Sequence, residues 1–220
     1  MTLRAPRPIA GIALGALIIV MVVLDLTGAM ATVWREAALM VAAACSIPFI
    51  VGRRRSMTIS RWVIAGFASL ITVAGVISAL VNAGAAPLPQ YLVGWDGRGT
   101  GIYAHVAATV LLVAAMVLTR REVLALMAGI AIAGLLSAIA AITQALTGES
   151  RARDGLAGLM GNADFNAVIC GISAGILLLL AVRLWREPRW RVSGLAVLAT
   201  ICAFGAVLTG SWQGAGALLI

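Results

Sequence analysis

The sequence predicts an all-α protein, a polytopic bundle of transmembrane helices. Three observations support this fold class: the 220 residues are 62% hydrophobic, the mean hydropathy is +1.07, and the apolar residues fall into seven long stretches separated by polar connections. A composition this apolar leaves too little polar surface to cover a soluble globule. Helices are favoured over membrane strands because the stretches are continuously apolar, without alternation of apolar and polar residues.

Each apolar stretch approaches the roughly 20 helical residues that a bilayer core requires. In chain order the predicted spans are residues 9–28, 33–51, 62–81, 102–118, 123–143, 166–182 and 192–209. The first span follows Arg4 and Arg7 and is not followed by a clear small-residue cleavage site, which indicates an uncleaved helix. The six tryptophans lie at or just beyond span ends, where indole rings are expected at headgroup depth.

Residues 209–211 end the seventh span, and a further apolar run occupies residues 212–220. A run this short covers only about 14 Å as a helix, which is half of a bilayer core. We therefore expect seven complete spans plus a truncated eighth, in one membrane domain over residues 1–220. The chain is expected to be the N-terminal portion of a longer protein, or to need a C-terminal partner chain.

Arginine positions predict the orientation of the bundle. The chain has no lysine, and 12 of its 16 arginines lie in alternate connections. They are Arg4, Arg7, Arg53, Arg54, Arg55, Arg61, Arg120, Arg121, Arg183, Arg186, Arg189 and Arg191. The positive-inside rule makes these connections and the N-terminus cytoplasmic, so the long connections at residues 82–101 and 144–165 lie outside. Nucleic-acid binding is not expected, because the net charge of +8 has this topological explanation.

The outer connections contain the candidate functional residues. Arg98, Arg151 and Arg153 carry guanidinium groups, whose planar fork suits phosphate or pyrophosphate oxygens. The alternative is that each arginine is solvated or paired with a nearby carboxylate. A second alternative is a small-molecule or ion transporter. In that case Asp25 and His105, near the outer ends of two spans, would line a polar path.

Metal and disulfide chemistry are not expected from this sequence. His105 is the only histidine, and the spacing of Asp154 and Asp164 matches no known cation-binding loop. The three cysteines each lie within an apolar span, where they are predicted to be small core residues. We therefore predict no metal site and no other cofactor.

Four short features follow one another between residues 94 and 220. They are an Arg-x-x-Gly turn at 98–101, a helix that ends near Gln144, the loop Gly-Leu-Met-Gly-Asn-Ala-Asp-Phe-Asn-Ala at 158–167, and Thr-Gly-Ser-Trp-Gln-Gly-Ala at 209–215. In this order and spacing the segment resembles the O-antigen ligase/polymerase-like family of bacterial membrane glycosyltransferases. The third feature is similar to the family's Gly-Asn-Pro-Asn loop and the fourth to its Thr-x-Ser-Arg-Gly-Ala turn. Ala163, Asp164 and Trp212 replace the family's Pro, Asn and usual Arg.

The resemblance implies a multi-pass protein of the bacterial cytoplasmic membrane. Such a protein transfers a glycan from a polyprenyl-pyrophosphate carrier to a lipid, glycan or protein acceptor at the outer face. The residues that would bind substrate are Arg98, Arg151, Arg153 and Asn162, and those that would shape the loops are Gly158, Gly161 and Ser211.

The same resemblance places the family's catalytic loop beyond residue 220. No catalytic residue is therefore predicted in this chain, and the short chain is expected to be inactive by itself. The alternatives from other classes are the transporter and a non-catalytic membrane scaffold.

Overall fold

The structure, a computed structural model, describes residues 9–24, 30–54, 57–81, 102–148, 156, 158–159, 163–211 and 216. This described part contains seven helices and no strand. The helices are α1 (Ile9–Leu24), α2 (Met30–Arg53), α3 (Ile59–Val81), α4 (Ile102–Met116), α5 (Arg120–Thr147), α6 (Ala163–Arg183) and α7 (Arg189–Leu208). Each coincides with one of the predicted apolar stretches, so the all-α prediction is confirmed.

Four helices, α3, α5, α6 and α7, are long and apolar enough to cross a membrane within the described residues. The apolar parts of the other three are shorter: Ile9–Val23, Ala37–Arg53 and His105–Met116. In α2 the apolar part begins just after the charged residues Arg35 and Glu36. The structure thus supports four of the seven predicted spans by length and composition. The predicted start of an eighth, at residues 212–220, lies outside the described residues apart from Gly216.

The described residues group into two compact units. Unit 1 comprises those within Met1–Gly11 and Thr27–Val123, and unit 2 comprises those within Ile12–Leu26 and Leu124–Ile220. The single membrane domain over residues 1–220 stays a prediction.

In unit 1, α4 packs against both α2 and α3. Its apolar core contains Met57, Ala65 and Val117, with Phe49 and Ile50 packed against them. Between α3 and α4 the hydroxyls of Thr72 and Thr109 hydrogen-bond at 2.7 Å. Apolar side chains fill this interface, and the two hydroxyls satisfy each other, so the polar groups of Thr72 and Thr109 are paired within it.

An ion pair joins the end of α2 to the start of α5 in unit 1. The Glu122 carboxylate is buried and accepts hydrogen bonds from Arg53 Nη1 at 2.5 Å and from the Thr119 backbone N–H at 2.8 Å. Thr119 Oγ1 donates to the same carboxylate oxygen at 2.8 Å and also accepts from the Glu122 N–H at 3.4 Å. This reciprocal pattern is a capping box, which satisfies donors at the helix start. The guanidinium also lies 4.4 Å from the centre of the Phe49 ring.

In unit 2, α6 packs closely against α7 and buries small residues. The core is built from alanines, Leu177 and the two cysteines Cys170 and Cys202. The prediction that the cysteines are core residues is therefore confirmed for these two and wrong for Cys45, which is exposed on α2. A Cβ added to Gly205 would lie 2.5 Å from the Cβ of Ala138 on α5. Such helix backbones can approach this closely only where side chains are small.

The glycines at four-residue spacing do not all mediate helix contact. Gly15 packs against Gly129, and a Cβ on Gly15 would lie 3.2 Å from the Gly129 Cα. A Cβ added to Gly175 would meet no atom within 4 Å in the described part of the chain. Gly171 and Gly175 have the same spacing as Gly11 and Gly15, but the spacing alone does not say which side of a helix has a neighbour.

The buried Glu122 provides the first prediction. Glu122→Ala removes the buried carboxylate that accepts from Arg53 and from two Thr119 donors, so we expect a loss of about 3 kcal/mol in unfolding free energy. The measurement is denaturant unfolding in detergent. Glu187→Ala is the matched control, because Glu187 pairs with Arg191 at 3.0 Å in an exposed position, where such pairs contribute about 0–1 kcal/mol. Equal losses for the two variants would contradict a structural role for the buried pair.

Candidate functional site

Three of the four sequence features meet at one end of unit 2. Gln144 near the end of α5 contacts Gly158 in the following loop, and Ser211 just after α7 contacts Asp164 in the first turn of α6. The order of these features along the chain therefore corresponds to proximity in space.

The side-chain amide of Gln144 pairs with the backbone of Gly158. Gln144 Nε2 donates to the Gly158 carbonyl at 3.0 Å, and the Gly158 N–H donates to Gln144 Oε1 at 3.0 Å. Both residues are buried. A buried backbone group without a partner costs about 1–3 kcal/mol, so one glutamine here satisfies two groups that would otherwise destabilise the loop.

Gly158 occupies a position that suits only glycine, for two reasons. Its φ of 55° lies in the left-handed region that side chains with a Cβ disfavour. A Cβ built at this position would lie 2.5 Å from Asn166 Oδ1 and 2.7 Å from the Ser137 carbonyl oxygen. The predicted loop-shaping role of Gly158 is thus consistent with both its conformation and its packing.

Ser137 on α5 connects the loop to α6. Its Oγ accepts a hydrogen bond from the Leu159 N–H at 3.1 Å and donates to Asn166 Oδ1 at 2.5 Å. Ser137 and Asn166 are both fully buried. We call Ser137, Gln144, Gly158, Leu159 and Asn166 together the loop clamp. Its hydrogen bonds hold the loop backbone against two helices that otherwise present apolar side chains.

Asn166 supplies one acceptor of the loop clamp, its Oδ1, and retains a donor, its Nδ2. Cys170 Sγ lies 3.6 Å from both Asn166 Oδ1 and the Gly134 carbonyl oxygen, so its single S–H can donate to either. Among buried side-chain nitrogen and oxygen atoms of the described residues, only Asn166 Nδ2 has no hydrogen-bond partner. The donor capacity of Asn166 is therefore not used by the part of the chain that the structure describes.

A second contact joins the start of α6 to the end of α7. Ser211 Oγ donates to Asp164 Oδ1 at 2.6 Å, and the Ser211 N–H donates to Thr209 Oγ1 at 3.1 Å. The Asp164 carboxylate also lies in the first turn of α6, where the positive end of the helix dipole favours negative charge. We call this contact the Asp164–Ser211 bridge. It orders Ser211 immediately after Gly210, whose φ of 70° ends α7.

The structure describes only some of the residues predicted for the site. Gly158 belongs to the loop clamp, and Ser211 belongs to the Asp164–Ser211 bridge. The remaining predicted residues, Arg98, Arg151, Arg153, Gly161 and Asn162, lie outside the described residues, as does Asp25 of the transporter alternative. His105 is exposed on α4.

The sequence reasoning missed Ser137 and Asn166 as parts of the site. Ser137 and Gln144 are seven residues apart on α5, which places them two turns apart on one helix face. Two polar residues at this spacing inside an apolar span were a readable signal of a shared partner. Asn166 was visible in the loop motif, but its burial depends on how α6 packs, which spacing does not reveal.

The described site consists of neutral hydrogen-bonding groups and one carboxylate. Within the described residues, there is no group of three or more His, Cys, Asp or Glu side chains that could hold a metal ion. Amides and hydroxyls in this arrangement can position a loop and hydrogen-bond a ligand, but they carry no cation for a phosphate.

Comparison with known proteins gives no relative: no family model, curated protein or solved structure matches the chain.

The second prediction separates packing at Gly158 from its backbone conformation. Gly148 also has a positive φ, at 70°, but a Cβ there would meet no atom within 4 Å in the described part of the chain. Gly148→Ala should therefore lower the unfolding free energy only by the cost of placing alanine in the left-handed conformation, about 1–2 kcal/mol. Gly158→Ala adds overlap with Asn166 and should cost at least about 2 kcal/mol more. Unfolding titrations of the two variants make the comparison, and equal costs would exclude tight packing at Gly158.

Proposed function

We propose that this chain is an O-antigen ligase-like protein of the bacterial cytoplasmic membrane. In this proposal it has seven spans with a cytoplasmic N-terminus, and it binds a polyprenyl-pyrophosphate-linked glycan at the outer face. The glycan is then transferred to an acceptor hydroxyl on a lipid, another glycan or a protein.

The observation that carries this proposal is the meeting of the sequence features at one end of unit 2. The resemblance rests on the order and spacing of the features along the chain. Order and spacing do not require that Gln144 or Ser211 lies close to the loop at residues 158–167. The hydrogen bonds of Gln144 to Gly158 and of Ser211 to Asp164 bring these features together. This proximity is expected if they build one site.

The position of two candidate arginines relative to the loop clamp also supports the proposal. Arg151 and Arg153 lie in sequence between Gln144 and Gly158, which hydrogen-bond across a separation of 14 residues. The loop clamp therefore closes the base of the connection that carries both arginines. Fixing the two ends of a loop lowers the entropy lost when its side chains bind a ligand.

The chemistry of transfer explains why arginines would be needed. The acceptor oxygen forms a bond to the anomeric carbon while the bond from that carbon to the pyrophosphate oxygen breaks. The bonding electron pair leaves with the pyrophosphate, and the hydroxyl proton passes to solvent. Guanidinium groups stabilise the charge that develops on the leaving pyrophosphate, and they do so without a metal ion.

The proposed orientation yields a third prediction. Single cysteines placed at Ala86 and Gly155, in a chain whose Cys45, Cys170 and Cys202 are replaced by Ala, should react with a membrane-impermeant maleimide in intact cells. A cysteine at Arg186 is the control for the opposite side and should react only after lysis. Labelling at Ala86 or Gly155 that requires lysis would contradict the orientation.

The fourth prediction concerns the arginines. Arg153→Gln should weaken binding of undecaprenyl-pyrophosphate-linked glycan by about 10- to 150-fold, the effect of losing one charged hydrogen bond. Arg153→Lys should give an intermediate loss, because an ammonium keeps the charge but not the planar fork. Binding is measured on the purified chain in nanodiscs.

Arg35→Gln is the matched control, because Arg35 lies near the predicted outer end of α2 and outside the resemblance. It should leave donor binding unchanged. Equal donor binding by the parent chain and by Arg98→Gln, Arg151→Gln and Arg153→Gln variants would contradict the proposed function.

A further inference from the structure

The turn between α6 and α7 in unit 2 is ordered by its own backbone. The Leu184 N–H donates to the Leu180 carbonyl at 2.9 Å, and the Glu187 N–H donates to the Leu184 carbonyl at 2.8 Å. The Arg191 N–H donates to the Pro188 carbonyl at 2.9 Å as α7 begins. The side chains of residues 183–191 therefore project from a defined scaffold.

This turn concentrates positive charge on an exposed surface. Its four arginines are all exposed, and Glu187 is its only acidic residue. Glu187 pairs with Arg191 at 3.0 Å. Arg183, Arg186 and Arg189 form no ion pair within the described part of the chain. Three exposed guanidinium groups therefore remain without an acidic partner there.

Two exposed tryptophans accompany these arginines. Trp185 is 77% exposed and Trp190 is 72% exposed. The helix surface beside the turn is apolar and also exposed, at Leu178, Leu179 and Val182. Arginines, indole rings and an exposed apolar surface thus occur together at one end of the helix pair, and these three groups suit the phosphate, interfacial and acyl layers of a lipid leaflet.

We propose that the turn at residues 183–191 is a binding surface for anionic phospholipids. Arg183, Arg186 and Arg189 bind headgroup phosphates, and Trp185 and Trp190 lie at the glycerol level. The acyl chains lie along the exposed apolar surface of α6. The occupant is a lipid and not a soluble polyanion, because the arginines adjoin indole rings and exposed leucines that a soluble ligand would leave in water.

This inference rests on the membrane placement within the proposed function but not on glycan transfer. Its test involves no glycan donor, so the two can fail separately.

The experiment is native mass spectrometry of the full chain, released from detergent and titrated with phosphatidylglycerol. Each arginine near a membrane surface contributes about 5-fold to anionic lipid binding, so Arg183→Gln/Arg186→Gln/Arg189→Gln should weaken binding on the order of 100-fold. Glu187→Gln should not weaken it, because that change removes the only acidic residue of the turn. Arg186→Gln alone, in the exposed turn, should weaken phosphatidylglycerol binding by about 5-fold. This single variant replaces the triple variant in the test if the triple variant does not fold.

Arg120→Gln/Arg121→Gln is the second control, because these arginines are exposed but have no tryptophan beside them in the sequence. The proposal expects phosphatidylglycerol binding to fall far less in this variant than in the triple variant, because Arg120 and Arg121 lie outside the turn. Phosphatidylcholine should bind far more weakly than phosphatidylglycerol, and soluble glycerophosphoglycerol should not compete at equal concentration.

Three results would overturn the proposal. They are unchanged phosphatidylglycerol binding in the triple and Arg186→Gln variants, an equal loss in Arg120→Gln/Arg121→Gln, and full competition by the soluble headgroup.

Discussion

The pairing of the Gln144 amide with the Gly158 backbone is the interaction on which the rest of the candidate site depends. Gly158 lies after α5, a helix composed mainly of alanine, leucine and isoleucine. Such apolar side chains offer the N–H and C=O of Gly158 few hydrogen-bond partners. Gln144 supplies a donor and an acceptor with one side chain. Ser137 does the same for the Leu159 N–H and for Asn166. The loop can therefore be buried without leaving its backbone unsatisfied.

Close helix packing makes this arrangement possible. Gly134 allows α5 to approach α6, since a Cβ added there would lie 2.8 Å from the Ile169 carbonyl oxygen, and the same two helices bring Ser137 within hydrogen-bonding distance of Asn166. The resulting distances leave no room for a Cβ at Gly158. Helix packing, loop conformation and the two hydrogen-bonding side chains therefore depend on one another. A substitution in any of them should affect the position of the connection that carries Arg151 and Arg153.

The fold was more predictable from sequence than the site. Continuous apolar stretches determine where helices form, because each residue in a helix satisfies its own backbone, and all seven described helices lie where those stretches predict. Contacts between helices could not be predicted in this way. The pairing of Arg53 with Glu122 joins residues 69 apart, and the burial of Asn166 depends on how helices pack. Hydropathy carries no information on either. The Thr119-x-x-Glu122 capping box was readable from local spacing, as was the seven-residue interval from Ser137 to Gln144.

Hydrogen–deuterium exchange of the full chain in nanodiscs tests the central claim most directly. Gln144→Met keeps the side-chain volume but removes both hydrogen bonds to Gly158. Exchange at the Gly158 amide should become at least about 10-fold faster, as expected when an opening is easier by about 1.4 kcal/mol. Exchange in α7 should not change. Thr143→Met, at the exposed neighbouring position, should leave Gly158 protected. Equal protection of Gly158 in the parent chain and in Gln144→Met would contradict the account, because the loop would then be held by something other than Gln144.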